Sequence, residues 1–217
     1  MNGFFILAIA TFLLPLISLD PLSAKDISLN IKHFVSVPFE KIPPTRFSNA
    51  GSNLLMEVDK SSAFLLLPFK ELTPVREVSF DWRGDGKLNV KDAAEEMSKL
   101  GDDFRLRVGL IEHGPAPFFS FFAPAWVKTI SKSLLFPTNH LTYIVVDSKN
   151  TAGKIWQSPY AKEIELIACK SQTTADGWQS CRYQFQPPLS VVGLWLMADG
   201  DNTASIFSTT IQNLSLK

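Results

Sequence analysis

The chain has 217 residues, enough for one sizeable hydrophobic core and marginal for two. Lys+Arg and Asp+Glu balance at 21 each, so no field of one sign draws it toward nucleic acid or an anionic membrane surface. Only 19% of residues are charged, while 17 Phe and five Trp supply bulk for a β-rich core and rings for a binding surface.

The N-terminus runs apolar from Phe4 to Leu19 and ends on the small residues Ser23-Ala24. That pattern predicts a secretory signal peptide over residues 1–24 and a mature domain over 25–217, periplasmic or secreted. An uncleaved anchor is the competing expectation, although the run is shorter than the ~20 residues of a comfortable membrane span.

Short strands follow. "ISLNIKHF" alternates, "KIPPTRFSNAGS" is punctuated as a loop, and "NLLMEVD" and "SAFLLLPF" flank "KSS" as a hairpin. In "VREVSFDWR", Val78, Phe80 and Trp82 share one face, with Asp81 and Arg83 on the other. "DWRGDGKLNVKD" approaches a calcium-loop pattern, but Arg83 falls where a ligand oxygen belongs and a strand precedes it, so "GDGK" is expected as a turn. "VKDAAEEMSKL" has helical spacing. In "DDFRLRVGLI", Phe104, Leu106, Val108 and Leu110 point one way, Arg105 and Arg107 the other. From Pro124, a short helix would carry Trp126, Val127, Ile130 and Leu134 on one face and Lys128 and Lys132 on the polar one. "LTYIVVD", "EIELIACK", "WQSCRYQF", "VVGLWLMAD" and "IFSTTIQNLSL" complete the strands. The whole predicts an all-β chain: a β-sandwich of jelly-roll type, galactose-binding-like, with one or two short helices.

Four polar residues, Asp81, Arg83, Arg105 and Arg107, fall on the non-core faces of two strands. If those strands are neighbours, the four form an ionic ladder that either is simply solvated or hydrogen-bonds a polar ligand such as a sugar. Asp199, Asp201 and Asn202 end an apolar run in "WLMADGDNTAS". A plain turn accounts for their composition, and a polar-ligand contact or a structural calcium is the sharper expectation. No other cofactor is called for. Cys169 and Cys181 flank the turn "TTADG"; a disulfide with the two cysteines opposite each other and a pair of buried thiols both remain open. The three His, His33, His113 and His140, lack metal-ligand spacing, and no HExxH, GxSxG or phosphate-loop pattern occurs. Glu57, Asp81, Glu112 and Asp147 are carboxylates among which the sequence does not choose an acid–base pair. Residues 118–136 combine aromatics with two lysines and would either cover the core, close over a ligand groove or touch a membrane interface. Trp156, Trp178 and Trp195 could stack on sugars, and Trp195, inside a run apolar on both faces, reads as core in preference to a platform.

"SFDWR", "GDDFRLRVGLI", "LTYIVVDS", "GKIWQSPYAKEIELIACKS" and "VVGLWLMADGDNTASIFSTTIQNLSL" resemble blocks of a bacterial family catalogued as domain of unknown function 3047, with "DNT" among its more specific pieces. The resemblance implies an exported bacterial envelope protein of one domain and no established activity. The leading expectation is a non-catalytic binding or structural module with a saccharide as ligand. An envelope glycan hydrolase and a membrane-associated protein working through 118–136 are the alternatives; oligomeric state is left open.

Overall fold

A computed structural model describes residues 24–115 and 125–217. The expected signal peptide, save for Ala24, and residues 118–124 of the aromatic segment lie outside the described residues. The strands are β1 Lys25–Asp26, β2 Val35–Pro38, β3 Arg46–Ala50, β4 Asn53–Asp59, β5 Ser62–Lys87, β6 Arg107–His113, β7 Thr138–Val145, β8 Ile155–Gln157, β9 Ile164–Ala168, β10 Ser171–Thr173, β11 Gln179–Asp199 and β12 Ile206–Leu216. Two short helices, α1 Ala93–Glu96 and α2 Ala125–Ser133, join them.

Hydrogen bonding runs β3-β4-β12-β5-β11-β6-β7-β9-β8, all antiparallel except β7 with β9. The long strands β5 and β11 pair along most of their length and bend together. Their register slips between Gln184 and Leu189, which bracket Pro187-Pro188, and again at Gly193. Proline cannot donate to a ladder and glycine carries no side chain to hold it, so slips collect there. One half of each long strand therefore belongs to each layer of a β-sandwich of jelly-roll type. The front layer holds β2, the start of β5, the end of β11, β6, β7, β9 and β8. The back layer holds β3, β4, β12, the end of β5, the start of β11 and β10.

Between the layers lies the main core: Leu65, Val108, Ile144 and Leu196 of the front against Met56, Val58, Phe207 and Ile211 of the back. The alternation read from sequence operates here, since Val78, Phe80 and Trp82 face inward. The front layer's outer face is apolar too. Phe64, Leu66, Tyr143, Leu166, Trp195 and Met197 form a second cluster beneath α2, where Val127 and Ile130 are buried and Lys128 and Lys132 exposed. No helix among the described residues is long and apolar enough to cross a membrane.

Several local expectations change. "ISLNIKHF" contains a 3-10 turn at Ile31–His33 instead of a strand, capped by Asn30, whose side chain accepts from Lys32 N. "RFSNA" is a strand, because β4 offers it an edge. "GDGK" is no turn: β5 continues through it, pairing Asp85 with Ser208 and Gly86 with Phe207. Gly86 has φ +85°, and a Cβ there would lie 2.7 Å from the Ile206 carbonyl oxygen. Because Asp81–Lys87 is paired strand, its side chains cannot wrap an ion, which removes the calcium-loop geometry from that part of the pattern.

Cys169 and Cys181 are joined by a disulfide with Cα atoms 6.2 Å apart. They are not opposite each other in a hairpin, since Ser171 faces Cys181. Cys169 continues β9 in the front layer, donating its N–H to Val145 O, while Cys181 sits on β11 in the back layer beside Phe80. The bond ties the two layers together.

Candidate functional site

The outer face of the front layer carries a cleft of about 270 Å³. Its floor comes from alternate residues of three neighbouring strands: Trp195, Met197 and Asp199 of β11, Arg107 of β6 and Tyr143 of β7. Gly109 lies between Trp195 and Tyr143 in register, and a Cβ on it would come within 2.8 Å of the Tyr143 ring and 3.0 Å of Trp195 Cβ. Missing bulk at position 109 is what lets the two rings approach edge to face at 5.9 Å. Gly109→Ala is expected to cost about 1–3 kcal/mol by overpacking; urea denaturation checks it, with an unchanged midpoint counting against the contact. Trp195 also stacks on Phe64 at 3.4 Å between centroids and meets Trp126 of α2 edge-on.

At one end of this aromatic wall sits a buried ionic cluster. Arg107, 3% exposed, donates through Nε to Asp199 Oδ1 at 3.1 Å and through Nη2 to Asp199 Oδ2 at 2.6 Å. Its Nη1 donates to Asp102 Oδ1 at 3.2 Å and Nη2 also to the Asp102 carbonyl. Asp199 Oδ1 accepts the Phe104 N–H as well. The fork matches a carboxylate in its own plane, a geometry that fixes both partners. Burial opposes Arg107's charge, but Asp102 and Asp199 hold its proton above the ordinary guanidinium range. Burial pushes the Asp199 and Asp102 carboxyls upward, with Arg107 pulling the other way.

The "DGDNTAS" loop clasps the chain before β6. Asp103 Oδ1 accepts from Asn202 N and Nδ2, and Oδ2 from Thr203 N and Oγ1 at 2.6 Å each. Asn202 Nδ2 also reaches the Asp102 carbonyl. Tyr160, 54% exposed on the rim, places its hydroxyl 3.2 Å from Asn202 Oδ1 and from the Lys99 carbonyl. Each residue in Asp-Asn-Thr thus has its own work: Asn202 and Thr203 hold Asp103, and Asp201 faces the cleft. Carboxylate oxygens of Asp103, Asp199 and Asp201 lie within 4.8 Å of one another. Asp199 is already committed to Arg107 and Asp103 to four donors.

The predicted ladder of Asp81, Arg83, Arg105 and Arg107 does not form. β6 joins the front layer, whereas the part of β5 bearing Asp81 and Arg83 belongs to the back. A bend at Arg105 also breaks the alternation, so Phe104 joins the outer cluster while Leu106 stays in the core. Arg105 turns away to Asp147 Oδ2 at 2.6 Å and to the carbonyls of Asp85 and Gly86. Asp81 accepts from Asn213 Nδ2 at 2.7 Å, and Arg83 lies over the Trp178 ring at 4.6 Å. Only Arg83 and Arg105 share a surface depression, remote from the cleft and floored by Trp82 and Ser171. None of Glu57, Asp81, Glu112 and Asp147 lines the cleft. Sequence reasoning passed over Asp102, Asp103, Tyr143 and Tyr160. An acid pair directly ahead of an alternating apolar strand was the available signal for the first two.

No curated protein matches this chain. The family 11 xylanase from Neocallimastix patriciarum is a similar solved structure, 11% identical, with 85% of this chain and 99% of that chain covered and a TM-score of 0.31. Residues 33–215 match the model of the protein family of unknown function DUF3047, and the chain belongs to that family.

Proposed function

We propose that this chain is an exported binding module of the bacterial envelope, periplasmic or secreted, whose cleft takes a short saccharide without transforming it. One observation carries the proposal: a single cleft joins an aromatic wall, Trp126, Tyr143 and Trp195, to a polar end, Asp201, Asn202 and the Arg107 cluster. Sugar rings present apolar C–H faces and in-plane hydroxyls, and a site with rings on one side and fixed polar groups on the other suits both. Export draws further support from the disulfide, which persists in oxidising compartments.

A glycan hydrolase asks for two carboxylates on opposite sides of the scissile bond, about 5–9 Å apart. Here Asp102 and Asp199 share one guanidinium, and carboxylate oxygens of Asp199 and Asp201 lie within 4.8 Å of each other. Membrane contact through 118–136 draws little support from α2, where Val127 and Ile130 are buried and Trp126 lines the cleft; Leu135, just beyond the helix, is an exposed apolar residue of that segment.

A glycan array probed with residues 25–217 tests the proposal. Binding to at least one oligosaccharide class is expected, weakened severalfold by Tyr160→Ala with the melting temperature unchanged, because Tyr160 is a rim residue. Silence across the array would sink the saccharide assignment.

A further inference from the structure

We infer that the cleft selects a saccharide bearing an ammonium group, an amino sugar, with Asp201 as its counter-ion and the cleft's rings around it. This deepens the saccharide proposal and rests on it. The charges of the described residues lining the cleft do not balance: Asp102, Asp199 and Asp201 stand against Arg107, with Lys99 outside the lining at the Tyr160 rim. Arg107 is committed to Asp102 and Asp199, so the excess falls on Asp201, which pairs with no cation among the described residues. Asp201 is half-buried; burial and the neighbouring Asp103 charge both raise its carboxyl, marking a position that favours a positive partner. An added anion, such as a uronate, would meet the same excess as repulsion.

One buried polar group independently points to a ligand. The Trp195 indole N–H has no hydrogen-bond partner, and Trp195 is 3% exposed. Tyr143 lies edge-on to that ring at 5.9 Å, and its hydroxyl feels Arg107, Asp199 and Asp102. Trp195 lines the cleft, and an unpaired buried donor of this kind is costly unless something accepts from it. Ring and hydroxyl oxygens of a sugar would do so while its ammonium meets Asp201. The rim already shows the cation–ring contact: Lys99 Nζ lies 5.4 Å from the Tyr160 ring centre.

Calorimetric titration of the mature chain at fixed pH and low salt tests this with four tetrasaccharides: β-1,4-linked glucosamine, its N-acetylated form, cellotetraose and a galacturonate. The glucosamine tetramer is expected to bind about tenfold more tightly than either neutral one, and the galacturonate least. Asp201→Asn should bring the glucosamine tetramer and the neutral tetramers to equal affinity, and Asp201→Glu should restore the preference. Equal or tighter binding of the neutral tetramers, or a preference that survives Asp201→Asn, overturns the ammonium inference and leaves the saccharide proposal standing. Silence toward all four and toward a full glycan array overturns both.

Discussion

Arg107→Met is expected to destabilise the protein by about 3–5 kcal/mol at neutral pH. At this size, where each kcal/mol moves the melting temperature by roughly 2–4 °C, the loss amounts to roughly 6–20 °C. Arg107, Asp102 and Asp199 are all at most 4% exposed, so the arginine's removal leaves buried carboxylates without water or a counter-ion. The cost is unpaired charge more than lost attraction, which fixes its pH dependence. Without Arg107 the two carboxyls rise further above their ordinary range. A carboxyl raised by folding contributes stability that is present at low pH and lost as pH climbs through the raised value. The deficit of Arg107→Met should therefore shrink as the solution is acidified toward the ordinary carboxylate range. Adding Asp199→Leu should recover part of the loss at neutral pH, since an apolar residue needs no partner. Urea denaturation at several pH values reads all three effects. A single variant within 1 kcal/mol of the parent at neutral pH would mean the cluster is screened by solvent.

Loss of the Cys169–Cys181 bond is expected to cost about 3 kcal/mol. Its sequence separation is 12, and closing a loop of that length removes about this much entropy from the unfolded chain. The expected consequence is a melting temperature lower by roughly 6–12 °C in the Cys169→Ala/Cys181→Ala double variant. Cys181 is fully buried and packs with the core, so alanine there adds a small packing loss. Because the bond ties the front layer to the back, ligand binding in the cleft should survive while global stability falls. Alkylation with and without reductant, read by mass, checks the bond itself: two thiols in protein taken from an oxidising compartment would remove it.

Local chemistry sufficed for much of the scaffold. β12, the inward faces of Val78, Phe80 and Trp82, and those of Leu106, Val108 and Leu110 were legible because a half-buried strand must alternate. α2 was legible because Val127 and Ile130 recur at helical spacing. The merging of "SAFLLLPF" with "VREVSFDWR" into β5 was not, since only pairing with the long β11 carries a strand through Pro74. Nor was the separation of Arg105 from Arg107: one bend sends the first to Asp147 and the second into the cleft, while strict alternation assigns both to one face. Asp199, Asp201 and Asn202 stood out by composition, and their order now has a physical account. By itself, the sequence determined the class of the fold, the faces of its strands and the unusual character of the "DNT" loop, because these depend on neighbours a few residues apart. Only the tertiary structure decided that Asp102 and Asp103 are that loop's partners and that Arg107, Tyr143 and Trp195 share one floor. Those contacts join residues up to about a hundred positions apart through the register of β6, β7 and β11, which packing of the whole sheet sets.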